Sequence, residues 1–181
     1  MSTHRFLGAS AIAAAFAASS IVAFAAPAAE LPNLGKPVTP DDLKAWDITI
    51  FPDGTNLPAG SGTSVQGAPI FAAKCAACHG ENATGGVGGA LTPGPARATL
   101  DGGKSIANFW PYSTTIFDFI RRAMPYNAPH SLTDNEVYAL TAYLLNLNRL
   151  IGPSDVMNKD TLPKVRLPNE GNFIIRFPER I

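Results

Sequence analysis

The stretch Phe71-Ala72-Ala73-Lys74-Cys75-Ala76-Ala77-Cys78-His79 decides how the rest of this chain is read. It closes a predicted helix that runs from Ser64 to Ala76, opened by Ser61 or Thr63 and containing Phe71. Cys75 and Cys78 are one helical turn apart, and His79 follows the second thiol directly. Two thiols at that spacing can add to the two vinyl groups on one edge of a porphyrin, and the imidazole that follows then lies under the iron. A disulfide oxidoreductase also uses Cys-x-x-Cys, but it sets the pair at a helix N-terminus in a βαβ context that lowers a thiol pKa. Here the pair ends a helix and no parallel sheet is predicted. A zinc site would need more ligands, of which His130 is the remaining credible one. The sequence has two cysteines in all, so a disulfide scaffold is excluded. The motif therefore predicts one covalent haem c, bound through Cys75 and Cys78, with His79 as proximal iron ligand.

The sixth ligand separates electron transfer from haem chemistry. A His/Met iron has a raised potential and is closed to exogenous ligands, whereas an open or bis-His iron implies something else. Met124 ends a predicted helix, Thr114 to Ala123, capped by Ser113, whose Ile116, Phe117, Ile120 and Ala123 share one face. Pro125 removes the next donor and turns the chain out of that helix, which can direct the Met124 sulfur to the ring. Met157 lies in a proline-rich arm with no predicted fixing element and reads as a packing residue. His130 is the competing ligand, although a lone histidine between Ala-Pro and a helix is more often a surface residue. A third helix is the clearest: Thr133 and Glu136 form a capping box, and Val137, Leu140, Tyr143, Leu144 and Leu147 make an apolar stripe that ends before Gly152-Pro153.

Outside this centre the chain changes character. Residues 1–25 read as a secretory signal: His4 and Arg5, an Ala-rich apolar run, and Ala23-Phe24-Ala25 as cleavage site. Residues 26–63 and 152–181 are proline-rich arms flanking a central domain at 64–151. Trp46, Ile48, Ile50, Phe51, Phe173, Ile174, Ile175 and Phe177 argue that both arms pack on the centre rather than staying disordered. A turn of helix is expected at Thr39-Pro40-Asp41-Asp42, and a short strand or extended run at 47–51. The long loop from Gly80 to Trp110 holds Gly85-Gly86-Val87-Gly88-Gly89, which lacks the strand–helix context and the Gly-Lys-Ser/Thr ending of a phosphate cradle. Fourteen basic residues balance fourteen acidic ones, which disfavours a nucleic-acid binder. Once the signal is removed, no membrane span is expected.

The layout of residues 65–148 resembles that of class I cytochromes c: a helix carrying CxxCH, a loop, a helix ending in Met-Pro, and a C-terminal helix. The resemblance implies an all-α, class I cytochrome c fold, here with extended Pro-rich N- and C-terminal arms. It implies that Gly67 and Phe71 on the first helix cross Tyr143 on the last. It also implies that a proline after the motif offers its carbonyl to the proximal histidine, with Pro93 and Pro95 as candidates.

A narrower resemblance rests on Trp46-Asp47-Ile48, Pro52-Asp53-Gly54-Thr55, Leu57 to Gly62, Phe109 to Pro125, Asn127-Ala128-Pro129 and Asp134 to Asn148. These segments are similar to cytochrome subunits or electron acceptors of periplasmic molybdenum sulfite dehydrogenases and to the cytochrome domain of sulfane dehydrogenase in the Sox sulfur-oxidising system. The chain departs from that pattern at His130, where Lys, Gln or Arg is expected, and in having a single CxxCH. What the resemblance implies is a periplasmic mono-haem carrier, not itself an enzyme. It would take single electrons from a molybdenum sulfite dehydrogenase and pass them to a downstream cytochrome c or oxidase. The alternatives are a tightly bound subunit of a sulfane dehydrogenase complex and a haem enzyme with a displaceable distal ligand. Trp110, Tyr112, Arg121 and Arg122 are candidates to bond the haem propionates.

Overall fold

The computed structural model describes residues 34–44, 46–92 and 104–174. The predicted signal segment, Pro93, Pro95, Ile175 and Phe177 lie outside the described residues. Residues from Pro40 onward form one compact unit, and Leu34 to Thr39 belong to the unit before it. The elements in chain order are α1 (Pro40–Lys44), β1 (Ser61–Gly62), α2 (Ser64–Lys74), α3 (Ala76–His79), α4 (Ile106–Phe109), α5 (Ser113–Ala123), α6 (Asp134–Leu147) and β2 (Met157–Asn158). Short 3-10 turns lie at Glu81–Ala83, Leu162–Lys164 and Glu170–Asn172. The fold is all-α apart from the two-residue antiparallel pair β1–β2, in which Ser61 faces Asn158 and Gly62 faces Met157.

The framework is the crossing of α2 over α6. A Cβ on Gly67 would overlap the Ala139 carbonyl oxygen and lie 2.7 Å from the Tyr143 Cβ, so the two backbones meet with only a hydrogen between them. Next to that contact, the Phe71 and Tyr143 rings pack at 5.2 Å between centroids. Both helices start as their sequences predict. Thr63 and Gln66 cap α2 reciprocally, and Thr133 and Glu136 do the same for α6. The predicted first helix breaks at Cys75, where the backbone leaves helical angles before α3 begins.

Against the other side of α6 lies α5, through Phe117 and Tyr138, whose ring centroids are 4.4 Å apart and which are both fully buried. Ser113 does not cap α5. Its hydroxyl donates instead to the Leu162 carbonyl at 2.6 Å, and Tyr112 occupies the cap position. That bond is long-range, and nothing local in the sequence announces it.

Both arms share the core, through Ile50 and Leu57 before α2 and through Met157, Leu162 and Leu167 after α6. Met157 is a packing residue as expected, but its arm does have a fixing element, β2. Tyr138 donates its hydroxyl to the Pro58 carbonyl at 2.9 Å, and the Ser61 amide donates to Asn135 at 2.9 Å. Residues 47–51 form no strand. The Asn56 side-chain amide bonds both Asp47 and the Thr49 carbonyl and anchors the run. The aromatic argument for arm packing applies only in part: Trp46 is 83% exposed and Ile174 91%, while Phe51 and Phe173 are each partly covered.

Gly67→Ala should cost about 3 kcal/mol or more, because backbone cannot yield to the added carbon; chemical denaturation of the holoprotein checks this. The Glu136 carboxyl is held below its ordinary 4.5, first by the Lys74 ammonium and then by the Thr133 amide. A lowered folded value stabilises the fold above the unfolded value and is lost as pH falls through the folded one. Glu136→Gln should therefore be less stable than the parent at pH 7, the gap closing as pH falls below 4.5 and through the lowered folded value, as followed by denaturation at a series of pH values.

Candidate functional site

Cys75, Cys78 and His79 sit where α2 passes into α3. Cys75 is at once the last cap of α2 and the first of α3, and its amide still donates to the Phe71 carbonyl at 2.9 Å. The two thiols are free, with Cys75 half-buried and Cys78 exposed. Burial, only partly offset by Lys74, pushes the Cys75 thiol up to about 11. A disulfide-exchange nucleophile needs the opposite shift.

His79 is held by the glycine run that follows it. Its Nδ1 lies 2.9 Å from the Gly89 carbonyl oxygen. A carbonyl can only accept, so Nδ1 carries the proton and the Nε2 lone pair is left for a metal. Gly85 donates to the His79 carbonyl at 2.9 Å and Gly88 to the Cys78 carbonyl at 2.8 Å, which folds the run back over the end of α3. A Cβ on Gly88 would stand 2.8 Å from His79 Cε1 and 3.0 Å from Nδ1. The run is thus a close-fitting cover for one face of the imidazole. Rejecting a phosphate cradle left these glycines unexplained; the signal was there in their count and in their distance from His79. Among the described residues the carbonyl partner is Gly89; Pro93 and Pro95 lie outside them.

Met124 caps the C-terminus of α5, donating its amide to the Ile120 carbonyl at 3.1 Å, and its backbone then turns extended. The Met124-Pro125 peptide is cis. Met124, Cys75, Ala76, Leu91 and Trp110 all lie in the partly buried apolar layer against the same core. His130 is exposed, in the loop between Met124 and α6, at a left-handed backbone angle of φ 61°.

The four propionate candidates are not gathered in one place. The Arg121 Nε donates to Asp134 at 3.1 Å and the Arg122 Nε to Asp118 at 2.8 Å. Trp110 packs edge-on against Phe119 at 5.4 Å. Tyr112 lines a cleft with Pro52, Asp53, Pro163, Arg166 and Glu170, at the end of α5 away from Met124. Eleven residues of helix put about 16 Å between those ends.

The donor set suits a covalent haem. Two unpaired thiols one turn apart, an imidazole with a fixed tautomer and a free Nε2, and a thioether sulfur at a helix end are the groups such a cofactor needs. The buried hydroxyl of Thr114, in the first turn of α5, has no hydrogen-bond partner among the described residues. Such an orphan is rare in a finished core.

Comparison with known proteins agrees. The sequence profile of the Cytochrome c family matches residues 64–148. The crystal structure of the sulfane dehydrogenase SoxCD from Paracoccus pantotrophus contains a chain 34% identical to this one. The match has a TM-score of 0.73 and covers 81% of this chain and 73% of that one. No curated protein matches. Among the described residues no helix is long and apolar enough to cross a membrane.

Replacing Gly89 by alanine forces a side chain onto a backbone angle of φ 77° and loosens the Nδ1 bond. A weaker acceptor makes the imidazole a poorer donor to ferric iron. The holoprotein of Gly89→Ala should show a midpoint potential higher on the order of tens of millivolts, against about 59 mV per tenfold for a one-electron couple, as measured by redox titration.

Proposed function

Because the chain belongs to the cytochrome c family and carries one covalent haem c, we propose that it is a periplasmic mono-haem carrier that accepts single electrons from a molybdenum sulfite dehydrogenase and passes them to a downstream cytochrome c or oxidase. Cys75 and Cys78 hold the haem through thioethers, and His79 and Met124 are its axial ligands. The observation that carries this reading is the His79 imidazole, fixed through Nδ1 by Gly89 and presenting Nε2 beside two unpaired thiols.

The haem supplies an iron that changes by one electron between ferric and ferrous. The residues do the rest. Gly88 and Gly89 hold the imidazole in one orientation, and Met124, at the end of α5, would supply the second ligand through its thioether. An iron held by both residues would be closed to peroxide and left to outer-sphere transfer. Ala76 and Ala77 are small, and Ala77 and Ala128 are exposed, so a partner can approach closely. Redox encounters of this kind bury little surface and dissociate readily. Formal charge is balanced over the sequence, so any steering must come from local charges rather than net charge.

Sulfite plus water yields sulfate, two protons and two electrons at the dehydrogenase. Each sulfite therefore reduces two molecules of a one-electron carrier. A second reading, a subunit bound permanently to a sulfane dehydrogenase, is favoured by the likeness to a chain of such a complex. It differs in stoichiometric co-purification with the dehydrogenase.

The test uses purified ferric holoprotein with sulfite. Reduction should require a molybdenum sulfite dehydrogenase and consume one sulfite per two haems; reduction by sulfite alone would rule out a simple carrier. Met124→Ala should lose the methionine-to-ferric-iron charge-transfer band in the red, and its survival would remove Met124 as ligand.

A further inference from the structure

The two segments that carry the proposed ligands are each tied by an ion pair to the same helical turn. Lys74, the last residue of α2 and the neighbour of Cys75, places its Nζ 2.8 Å from Glu136 Oε1. Arg121, in the last turn of α5 before Met124, places its Nε 3.1 Å from Asp134 Oδ1. Asp134 and Glu136 are two residues apart in the first turn of α6. All four side chains are roughly one-quarter to two-fifths exposed, so neither pair is freely solvated.

The carboxylate of Glu136 is shared. While Oε1 takes Lys74, Oε2 accepts from the Thr133 amide at 2.8 Å and from its hydroxyl at 3.0 Å. Thr133 ends the loop that begins at Met124. The Arg121–Asp134 pair closes that loop at its base, from the last turn of α5 to the first residue of α6. One acidic turn therefore grips the haem-attachment segment, the far end of the methionine loop and the helix that leads into it.

We propose that Asp134 and Glu136 are positioning residues that hold the Cys75–His79 segment and the Met124 loop at one fixed separation, and so keep the methionine sulfur on the iron. The inference rests on the assignment of His79 and Met124 as axial ligands. The pairs act through geometry. An exposed or half-exposed pair contributes little to global stability, but these two join separate elements, α2 to α6 and α5 to α6. By contrast, Asp118 and Arg122 form a pair of similar length and exposure inside α5 that joins nothing.

The conserving changes Asp134→Asn and Glu136→Gln keep size, and glutamine keeps the capping box. Lys74→Gln breaks the same pair from α2 without touching the cap. The readout is the rate at which cyanide binds the ferric holoprotein, which requires the methionine to leave, together with the red charge-transfer band. Each single variant should bind cyanide about threefold faster, and Asp134→Asn/Glu136→Gln about tenfold faster, the range expected for one and two such pairs. Asp134→Glu should return the rate towards the parent value, and Asp118→Asn should leave it unchanged. Parent-like cyanide binding in the double variant and in Lys74→Gln, or equal acceleration by Asp118→Asn, overturns the proposal. If the parent protein itself lacks the methionine band, the ligand assignment fails and this inference falls with it, a result plainly different from a band present and rates unmoved.

Discussion

Everything else in the molecule is arranged around a place where two helices touch backbone to backbone. At Gly67 there is no room for a carbon atom between α2 and the Ala139 carbonyl. Gly62, one residue before the cap of α2, is just as close to Ala139. Two glycines five residues apart thus press β1 and the first turns of α2 onto the middle of α6. Phe71 and Tyr143 lock the rotation of one helix against the other. With that angle set, the end of α2 has one place to go, and Cys75 to His79 emerge beside the start of α6. A side chain at either glycine would move the thiols, not merely loosen the core.

The same helix organises the rest. Along α6, Asn135 takes the Ser61 amide and Tyr138 reaches the Pro58 carbonyl. Asn146 meets the Ser64 hydroxyl and the Ile151 carbonyl, and Asn148 reaches the Leu91 carbonyl beyond the glycine run. Burial pushes the Tyr138 hydroxyl up to about 12, so it remains a donor across the physiological range. The bonds to Pro58, Leu91 and Ile151 join α6 to segments without regular structure of their own. Proline-rich arms cannot satisfy their backbone groups internally. They are ordered because a central helix offers polar groups at the right heights.

Much of this was legible in the residues, and what was not has a common cause. The capping box of α6, the helix that ends at Met124 and the CxxCH turn are local patterns or products of helical period, whereas the Gly67–Phe71–Tyr143 crossing is implied by the resemblance to class I cytochromes c. Periodicity reports the first three because the partners lie within a few positions or on one stripe. The misses are contacts between distant segments. Ser113 looks like a helix cap, yet it serves Leu162, forty-nine positions away. Met157 looks unanchored because its partner strand is two residues long and lies before α2. Trp46 looks like core because of its size, but the buried member of its arm is Ile50. For His79 the resemblance implies a proline carbonyl; Pro93 and Pro95 lie outside the described residues, and among those described the carbonyl at Nδ1 is that of Gly89. Gly88, next to it, passes within contact of the ring.

These features bear on what an electron carrier requires of its protein. The transfer itself moves no atoms between partners, so the barrier is set by how far the iron and its surroundings shift between oxidation states. A protein lowers that barrier by holding both axial ligands in positions that suit either state, which is preorganisation applied to a charge that comes and goes. Here the imidazole is fixed from behind by a backbone carbonyl rather than a mobile side chain. The methionine sits at a helix end whose last turn is tied to another helix. The last turn of α5 is tied to α6 by Arg121 and Asp134, and Asn148, at the end of α6, donates to the Leu91 carbonyl two residues beyond Gly89. The exposed surface at Ala77, Cys78 and Tyr126 can then meet a partner without the ligand frame having to adjust. Rigidity inside and small side chains outside divide the two tasks, holding the electron's site still and letting the partner come near.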